Sequence, residues 1–326
     1  MTQQQMVFRS FLLACAMALA TFTTHAQTYP TKPIRIIVPL QPGGLADGFA
    51  RLLGQHLSER MGQPVVVENR PGGSQVIAGE AAARAAPDGY TLMLATEAGL
   101  VTATLAQKQM PYDPVRDFSP ITMIFVVPYY LVVHPSLPVN TLQELVAYAK
   151  ANPAKLSYAS FGQGTGNHIA GEVLKKRFGI EMVHVPYKGT AQAMTDLIAG
   201  QVLLMFGGGQ SSIANIKSGK LRGIAVSGIK RSNAMPDLPT VAEQGVPGFD
   251  IISWFSLVGP AGLPRPIVDR LNAETTAMLN NPGVRDKYTA FGIDITPSTP
   301  QELAEHIRRG PAVWAKIMAE AGVKPE

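Results

Sequence analysis

Short runs of apolar residues alternate with longer amphipathic segments over residues 34–95. Phe49, Leu53 and Leu57 recur every four positions, which places them on one face of a predicted helix that ends near Met61. The apolar runs are short and continuous, as is typical of strands buried in a parallel sheet. This part of the chain is therefore predicted to form a β-α-β-α-β unit. Its strands are residues 34–38, 65–67 and 90–95, and its second helix covers about 75–86.

The same alternation returns over residues 156–227, although the two halves share no repeated sequence. One helix is predicted over about 167–178, the next ends near Ala199, and the glycine run 207–209 precedes a short third helix. The fold class predicted from this pattern is α/β, with parallel sheets covered on both faces. The predicted strands of the second unit are residues 156–160, 182–185, 202–206 and 221–227.

Two proline- and glycine-rich stretches, residues 110–142 and 235–266, join the two units. Two connections between α/β lobes suit a hinged clamp better than a single linker would. The first lobe is therefore predicted to contain residues 27–125 and 250–326, and the second lobe residues 126–249.

Further helices are predicted outside the two units. Residues 140–141 can cap a helix that covers Leu142–Ala151, because Asn and Thr side chains accept hydrogen bonds from the first turn. The chain after Pro266 is also predicted to be helical and to pack against the first lobe. Its expected packing face carries Trp314 together with Ile307, Ile317 and Met318.

The N-terminus has the features of a secretory signal. Arg9 precedes an apolar stretch at residues 11–22, and small residues follow at Thr24 and Ala26. About a dozen apolar residues are too few to span a bilayer, which needs roughly 20. Residues 1–26 are therefore predicted to be a signal peptide that is cleaved after Ala26, and the mature protein is predicted to be periplasmic. A lipoprotein cut before Cys15 is the alternative for this segment.

Composition narrows the classes of function. Hydrophobic residues make up 46% of the 326 residues and charged residues 16%, which suits two folded lobes and argues against a disordered chain. The net charge of +5 could steer an anionic ligand toward the protein. Lysine and arginine are scattered, with no run longer than residues 175–177, so no nucleic-acid partner is predicted.

Two glycine-rich loops, residues 42–47 and 160–168, each follow a predicted strand and open a helix. Glycine lets the backbone approach a ligand closely, and a helix N-terminus offers free N–H donors and a favourable dipole, so a carboxylate or phosphate would suit both loops. The alternative is that these glycines only make tight connections. Asp47 could equally be a helix cap, and His168 could equally be structural.

Signatures of catalysis are absent or incomplete. Gly162 and Gly164 begin a dinucleotide-binding fingerprint, but Asn167 replaces its third glycine, and neither loop contains a P-loop lysine. The only cysteine, Cys15, lies in the signal segment, and the histidines have no metal-ligand spacing. No catalytic residue, metal or cofactor is therefore predicted, although a secreted α/β enzyme acting on carboxylates stays the alternative function.

Motifs that match one family extend from Tyr29 almost to the C-terminus. They include Pro42-Gly-Gly-x-x-Asp47, Gly62-Gln-Pro-Val-Val-Val-Glu-Asn-Arg-Pro-Gly72, Ala86-Pro-Asp-Gly-Tyr-Thr91, Ser160-x-Gly-x-Gly-Thr165 with His168, and His184-Val-Pro-Tyr-Lys-Gly189. On these motifs the chain resembles the substrate-binding proteins of tripartite tricarboxylate transporters, the Bug family of periplasmic receptors.

The resemblance implies a two-lobed Venus-flytrap with the type II periplasmic-binding-protein fold. It also implies a receptor that captures a small organic carboxylate in the cleft between its lobes, partly through bridging waters, and presents itself when closed to a membrane transporter. The protein is expected to be a monomer. A sensor that reports its ligand to a membrane signalling partner would need the same clamp. The expected ligand-binding residues are Gln41, Gly43, Gly44, Asp47, Glu97, Ser160, Gly164, Thr165, Gly166, Asn167, His168 and Gly207.

Several of these positions depart from the family pattern. Leu40 and Gln41 replace a Phe-Pro-like pair, and the turn Gly72-Gly-Ser-Gln-Val76 lacks the Gly-Gly-Asn that commonly follows there. Glu97 stands where a small or neutral residue is usual, and the run Gly207-Gly-Gly-Gln210 replaces a Phe-Asp-Asn pattern. A carboxylate at Glu97 that faced the ligand would repel the far end of a dicarboxylate. The hypothesis from these departures is a ligand with one carboxylate and a neutral, cationic or bulky far end.

Overall fold

The strands of the computed structural model, which describes residues 29–153 and 155–324, form two sheets that share one long strand. The signal peptide, its cleavage after Ala26 and Cys15 lie outside the described residues. The strands are β1 (Ile34–Val38), β2 (Val65–Asn69), β3 (Thr91–Thr96), β4 (Phe118–Val133), β5 (Ser157–Ser160), β6 (Val183–Pro186), β7 (Leu204–Gly208), β8 (Arg222–Val226), β9 (Ile252–Pro260) and β10 (Asp294–Ile295).

The helices lie between these strands and after them. No helix among the described residues is both long and apolar enough to cross a membrane. The π-helical turn Ala98–Thr102 follows β3, and a 3₁₀ turn covers Gly73–Gln75. The α-helices are α1 (Leu45–Met61), α2 (Val76–Ala83), α3 (Ala103–Ala106), α4 (Leu142–Ala151), α5 (Gly166–Phe178), α6 (Thr190–Ile198), α7 (Gly209–Lys217), α8 (Arg265–Leu279), α9 (Pro282–Thr289) and α10 (Pro300–Ala321).

Both sheets are mixed, so the prediction of purely parallel sheets was wrong. In the first sheet β1 pairs in parallel with β2 and β3, but β9 runs antiparallel to β3, and β4 and β10 add further antiparallel pairs. In the second sheet β5 pairs in parallel with β6 and β7, whereas β4 pairs antiparallel with β7 and β8. The parallel parts coincide with the two predicted β-α-β units.

The connection between the sheets is a strand where a linker was predicted. β4 occupies 16 residues of the stretch 110–142 and contains two prolines. Its pairing with β9 shifts register directly after Pro120. Proline has no backbone N–H to donate, and the loss of one ladder hydrogen bond matters least where the ladder is already irregular. Pro128 is the last residue of β4 that pairs with β9, and Tyr129 is the first that pairs with β7. The lobe boundaries at 125/126 and 249/250 stay a prediction.

The ends of the predicted helices agree well with the structure, and the cap of α4 is confirmed. The Thr141 side chain accepts a hydrogen bond from the Glu144 backbone N–H at 3.1 Å. The packing of α10 is only partly as predicted. This helix contacts β4 and the π-helical turn of the first sheet, but it also packs against α5 of the second sheet. Its buried Trp314 belongs to a core cluster that contains residues of both sheets.

Candidate functional site

An open cavity, with about 620 Å³ of empty space that includes the solvent at its mouth, lies where the strands of both sheets end. Leu40 and Gln41 follow β1, Phe161 follows β5, and Gly208 ends β7. The carboxyl ends of parallel strands are the usual place for ligands in open α/β sheets. The paired strands β4 and β9 contribute a further part of the wall.

Four helices begin at this cavity. It is lined by Gly44 before α1, Thr165 before α5, Thr190 at the start of α6 and Gly208 before α7. The first N–H groups of an α-helix lack acceptors within the helix, and the positive end of its dipole lies there. One helix belongs to the first sheet and three to the second, so both halves of the chain direct positive backbone ends toward the same space.

These helix starts lack side-chain caps. No side-chain cap hydrogen bond is made by Gly44, Thr165 or Gly208, nor by Gly189, which precedes α6. Natural helices usually satisfy one or two of their first N–H groups with an Asp, Asn, Ser or Thr side chain. Because four neighbouring helices lack such side-chain caps, their first backbone N–H groups are available to bind an anion.

The side chains that line the cavity are neutral. No Asp, Glu, Lys, Arg or His side chain of the described residues belongs to its wall. Burial raises the pKa of Tyr129, which keeps its phenol neutral as well. An anion bound here would therefore be stabilised by backbone dipoles and neutral hydrogen-bond donors. The polar side chains of the wall are Gln41, Gln75, Thr96, Tyr129, Thr165, Thr190 and Ser253, and the larger apolar ones are Leu40, Leu45, Val127, Phe161 and Phe255.

In the first glycine loop, Asp47 and Gly43 support the binding surface but do not line it. The Gly43 N–H donates to Asp47 Oδ2 at 3.1 Å, and Arg51 donates two further bonds to the same carboxylate. Burial alone would raise the pKa of Asp47, but the bonds from Arg51, Gly43 and Asn69 together lower it. Asp47 is thus ionised, and its carboxylate is engaged in hydrogen bonds with residues of its own half of the chain. Gln41 and Gly44 are the predicted residues of this loop that face the cavity.

In the second glycine loop, only Thr165 among the predicted residues lines the cavity. Ser160 Oγ lies 2.5 Å from His184 Nε2 and accepts a hydrogen bond from the Gly162 N–H at 3.0 Å. Asn167 Oδ1 accepts a bond from the Thr165 hydroxyl at 2.7 Å. Ser160 and Asn167 are buried and hold the loop in shape. Gly166 is the first residue of α5, so its N–H is one of the free donors of that helix.

His168 is part of the same support. Its Nδ1 accepts a hydrogen bond from the Gly164 N–H at 3.2 Å. Burial, together with the neighbouring His184, lowers the pKa of His168 to about 4. The imidazole is therefore neutral at physiological pH, as an acceptor must be. His168 fixes the backbone of the glycine loop and carries no charge toward the cavity.

The glycines of the second loop allow close contact with the first half of the chain. A Cβ on Gly164 would lie 2.3 Å from Ala106 Cβ at the end of α3. A Cβ on Gly162 would lie 2.7 Å from Ser74 Oγ. Both glycines also have positive φ, 73° and 117° respectively. They are required for the turn and for its fit against the opposite half.

Glu97 and Gly207 lie behind the cavity wall. Glu97 is fully buried, while its neighbours Thr96 and Ala98 line the cavity. A Cβ on Gly207 would meet Ser212 Oγ at 2.5 Å, and Gly208 faces the cavity in its place. Neither Glu97 oxygen reaches the cavity, so Glu97 does not face the far end of a ligand there, and the expected repulsion of a second ligand carboxylate is corrected.

Sequence reasoning missed several residues of the wall. Tyr129 and Ser253 belong to β4 and β9, which were hidden inside the predicted linkers. Gln75 has a positive φ of 79°, and its Oε1 accepts a hydrogen bond from the Thr96 hydroxyl. A signal did exist for Gln75, because the turn at 72–76 departs from the family pattern. Thr190 carried no such signal, although it directly follows the motif that ends at Gly189.

Comparison with known proteins places these features in one family. A family model described as the tripartite tricarboxylate transporter family receptor matches residues 49–323. The protein BugT of Bordetella pertussis is 35% identical over 304 residues, which cover 92% of each chain. A Rhodopseudomonas palustris protein, Rpa4515, solved with adipate, is 36% identical with a TM-score of 0.88 and covers 91% of this chain and 100% of its own.

A second solved structure, MatC of Rhodopseudomonas palustris with bound malate, is 28% identical with a TM-score of 0.84. That likeness covers 89% of this chain and 99% of MatC. The expected two-lobed periplasmic-binding-protein fold is confirmed by these likenesses, and so is the resemblance to the Bug proteins. The chain belongs to the tripartite tricarboxylate transporter receptor family.

Proposed function

We propose that this receptor captures one small organic carboxylate in the cavity between its lobes and delivers it to the membrane components of a tripartite transporter. The observation that carries the proposal is the convergence of four uncapped helix N-termini on a cavity whose described wall has no charged side chain. The relatives solved with adipate and malate support the same ligand class.

A carboxylate suits this cavity for a physical reason. Its two oxygens can accept hydrogen bonds from α1 on one side and α5 on the other, so one group bridges both halves. The rest of the ligand would contact Val127, Phe161 and Phe255, which favours an uncharged carbon skeleton. Among the predicted site residues, we assign direct contact to Gln41, Gly44, Thr165 and the Gly166 N–H. We assign support of the two loops to Asp47, Ser160, Asn167 and His168.

Capture and delivery follow from the same contacts. Because groups from both halves bind the ligand, bound ligand favours the closed arrangement over an open one. The closed surface is then the form that a membrane partner would recognise. Release would require the lobes to separate, which removes one set of helix N-termini from the carboxylate.

The test is a thermal-shift panel of carboxylates with their uncharged amides as matched controls. Adipate, malate and benzoate would be compared with adipamide, malamide and benzamide at equal concentration. A true ligand at about a hundredfold excess over its Kd should stabilise the receptor by about 2.7 kcal/mol. We expect at least one carboxylate to raise Tm and its amide to have no effect. Equal shifts from acid and amide, or no shift from any acid, would contradict the proposal.

We further propose that the receptor acts on its ligand without chemistry and as a monomer. Mass spectrometry of ligand recovered after long incubation should return it unchanged, and a converted product would favour the alternative of an α/β enzyme. Light scattering should give the mass of one chain. For the secreted form, N-terminal sequencing of protein from the periplasm should begin at Gln27, after the predicted cut.

A further inference from the structure

Glu97 is a fully buried carboxyl group at the contact between the two halves of the receptor. It follows β3 of the first sheet and precedes the π-helical turn. Its Oε2 lies 3.3 Å from the place where a Cβ on Gly166, the first residue of α5, would sit. Neither of its oxygens has a hydrogen-bond partner among the described residues. Both halves therefore surround the carboxyl group, but among the described residues neither half forms a hydrogen bond with it.

The groups that face Glu97 do not neutralise a negative charge. The π-helical turn presents the Thr102 hydroxyl, which is itself without a hydrogen-bond partner among the described residues. β4 presents the Tyr129 phenol, which lies beside the same point of α5 as Glu97 and stays neutral. α10 reaches the same turn through Gly310, which packs on Val101. Within the described chain no Lys, Arg or His forms an ion pair with Glu97.

A buried carboxylate without a partner is costly, and the usual outcome is that the group binds a proton. Burial raises the pKa of Glu97 to about 8, and the nearby Thr102 hydroxyl offsets only part of this rise. The N-terminus of α5 favours an anion, but a helix dipole contributes less than full desolvation costs. The two halves touch through Gly162 and Gly164, which is the closed arrangement, and Glu97 is mainly protonated in it at neutral pH.

Opening of the lobes would change this environment. Gly166 and the rest of α5 would move away from Glu97, and water would reach the carboxyl group. A hydrated glutamate returns to its ordinary pKa of 4.5 and loses its proton at neutral pH. Glu97 therefore differs in protonation between the two arrangements, although it does not line the cavity.

We infer that the receptor takes up a proton on Glu97 each time its lobes close on a ligand, so that capture couples the binding of a carboxylate to the binding of a proton. This inference rests on the proposed function, since it assigns a regulation to the same cavity. The proton enters from solvent and returns to solvent on opening, so no other reactant is needed.

The sign of the pH dependence follows from the two environments. The closed state has the higher pKa, so closure is favoured at low pH and loses this advantage as pH rises toward about 8. Between about pH 6 and pH 7.5, ligand affinity should fall by up to about tenfold per pH unit. Simple carboxylate ligands are already ionised over this range, so their own titration does not produce the effect.

The test is calorimetry of ligand binding at about pH 6.5 in two buffers with different heats of ionisation. Adipate is the first probe, and the panel carboxylate that raises Tm most replaces it if adipate does not bind. Wild type should take up about one proton per ligand, whereas Glu97→Gln should take up almost none and bind with an affinity that varies little with pH. Glu181→Gln is the matched control, because Glu181 is exposed and its substitution removes the same charge. It should behave as wild type.

Binding by wild type without proton uptake would overturn the inference, and so would equal uptake by wild type and Glu97→Gln. If no carboxylate of the panel binds, the proposed function fails, and the inference that rests on it fails with it. Binding without proton uptake overturns the inference alone and leaves the proposed function standing.

Discussion

At the scale of single residues, the polar side chains of the two glycine loops support the backbone and leave ligand binding to it. His168 shows how this support works. Its Nδ1 must have a free lone pair to accept the Gly164 N–H, so the loop depends on a neutral imidazole. Asp47 plays the corresponding part in the first loop, where its carboxylate accepts the Gly43 N–H.

His168 should make the stability of the receptor depend on pH in the acid range. Its pKa is about 4 in the folded chain and near 6.5 when unfolded, so the unfolded state binds more protons between these values. Stability should be fully present above about pH 6.5 and should fall by up to about 3 kcal/mol as pH drops to about 4. Urea unfolding of wild type and His168→Asn measures this. Asn keeps an acceptor but does not titrate, so an equally steep decline in the variant would contradict the assignment.

Any side chain at Gly164, even the methyl group of alanine, should lower both the stability of the receptor and its affinity for ligand. Gly164→Ala combines a positive φ of 73° with a Cβ that would lie 2.3 Å from Ala106 Cβ. Gly179→Ala is a matched control, because Gly179 has a positive φ of 60° and open space around its Cβ. Both should lose about 1 kcal/mol of stability from backbone strain.

Ligand affinity separates the two variants. Only Gly164→Ala should lower it, by at least about tenfold, because the methyl group keeps the second loop from seating against α3. Calorimetry with the best panel carboxylate provides the comparison. Similar affinities for the two variants would show that the contact between Gly164 and Ala106 does not matter for capture.

Part of this residue-level picture was predictable. Glycine at 43, 44, 162 and 164, each after a predicted strand, indicates an anion-binding loop because glycine is needed for such turns. The pair Asp47 and Arg51 also carried a signal that was not used, since residues four apart on a helix can form an ion pair. The contact of Gly164 with Ala106 was not predictable, because it joins residues of different halves that no local pattern relates.

At the scale of elements, the crossing between the sheets is organised around the buried Ser227. Its hydroxyl donates to the Ile251 carbonyl at 2.5 Å and accepts from the Tyr129 N–H at 2.8 Å. Its own N–H donates to the Tyr129 carbonyl at 2.8 Å. One serine thus joins the chain that leaves β8, the chain that enters β9 and the middle of β4. These are the strands along which the two halves are connected.

Ser227→Ala should destabilise the receptor by about 1–3 kcal/mol, because it leaves a buried N–H and a buried carbonyl with fewer partners. Ser218→Ala is the control at an exposed hydroxyl that bonds to the Asn215 carbonyl, and it should stay within about 0.5 kcal/mol of wild type. Urea unfolding at neutral pH gives both values. If Ser227→Ala loses no more stability than Ser218→Ala, the hydrogen bonds of Ser227 do not stabilise the crossing between the sheets.

The elements that were predicted correctly are the ones whose pattern is local. The apolar runs of β1 and β3 and the fourfold spacing along α1 determine those elements from a few neighbouring residues. β4 was missed because Pro120 and Pro128 look like loop residues, although a proline is tolerated at a shift of register. The antiparallel direction of β9 beside β3 depends on pairing between residues more than 150 positions apart, which no local pattern contains.

At the scale of the whole molecule, binding depends on where the two halves place their helices. Each half alone provides helix N-termini that point into solvent, where water would satisfy them. Brought together around one cavity, they form a site that is positive without containing a positive side chain. The sequence predicted the helices that follow the two glycine loops. The contribution of α6 and α7 became visible only with the arrangement of the second sheet.

The central claim, that backbone amides at helix starts from both halves bind the ligand carboxylate, can be measured directly by NMR. Backbone ¹H–¹⁵N spectra would be recorded while the best panel carboxylate is added to the receptor. The account predicts the largest shifts at Gly44, Leu45 and Gly166, with smaller ones along the remaining wall of the cavity. Unchanged amides at these three positions, with the main shifts in the surface groove lined by Arg177, Phe249 and Glu320, would contradict it.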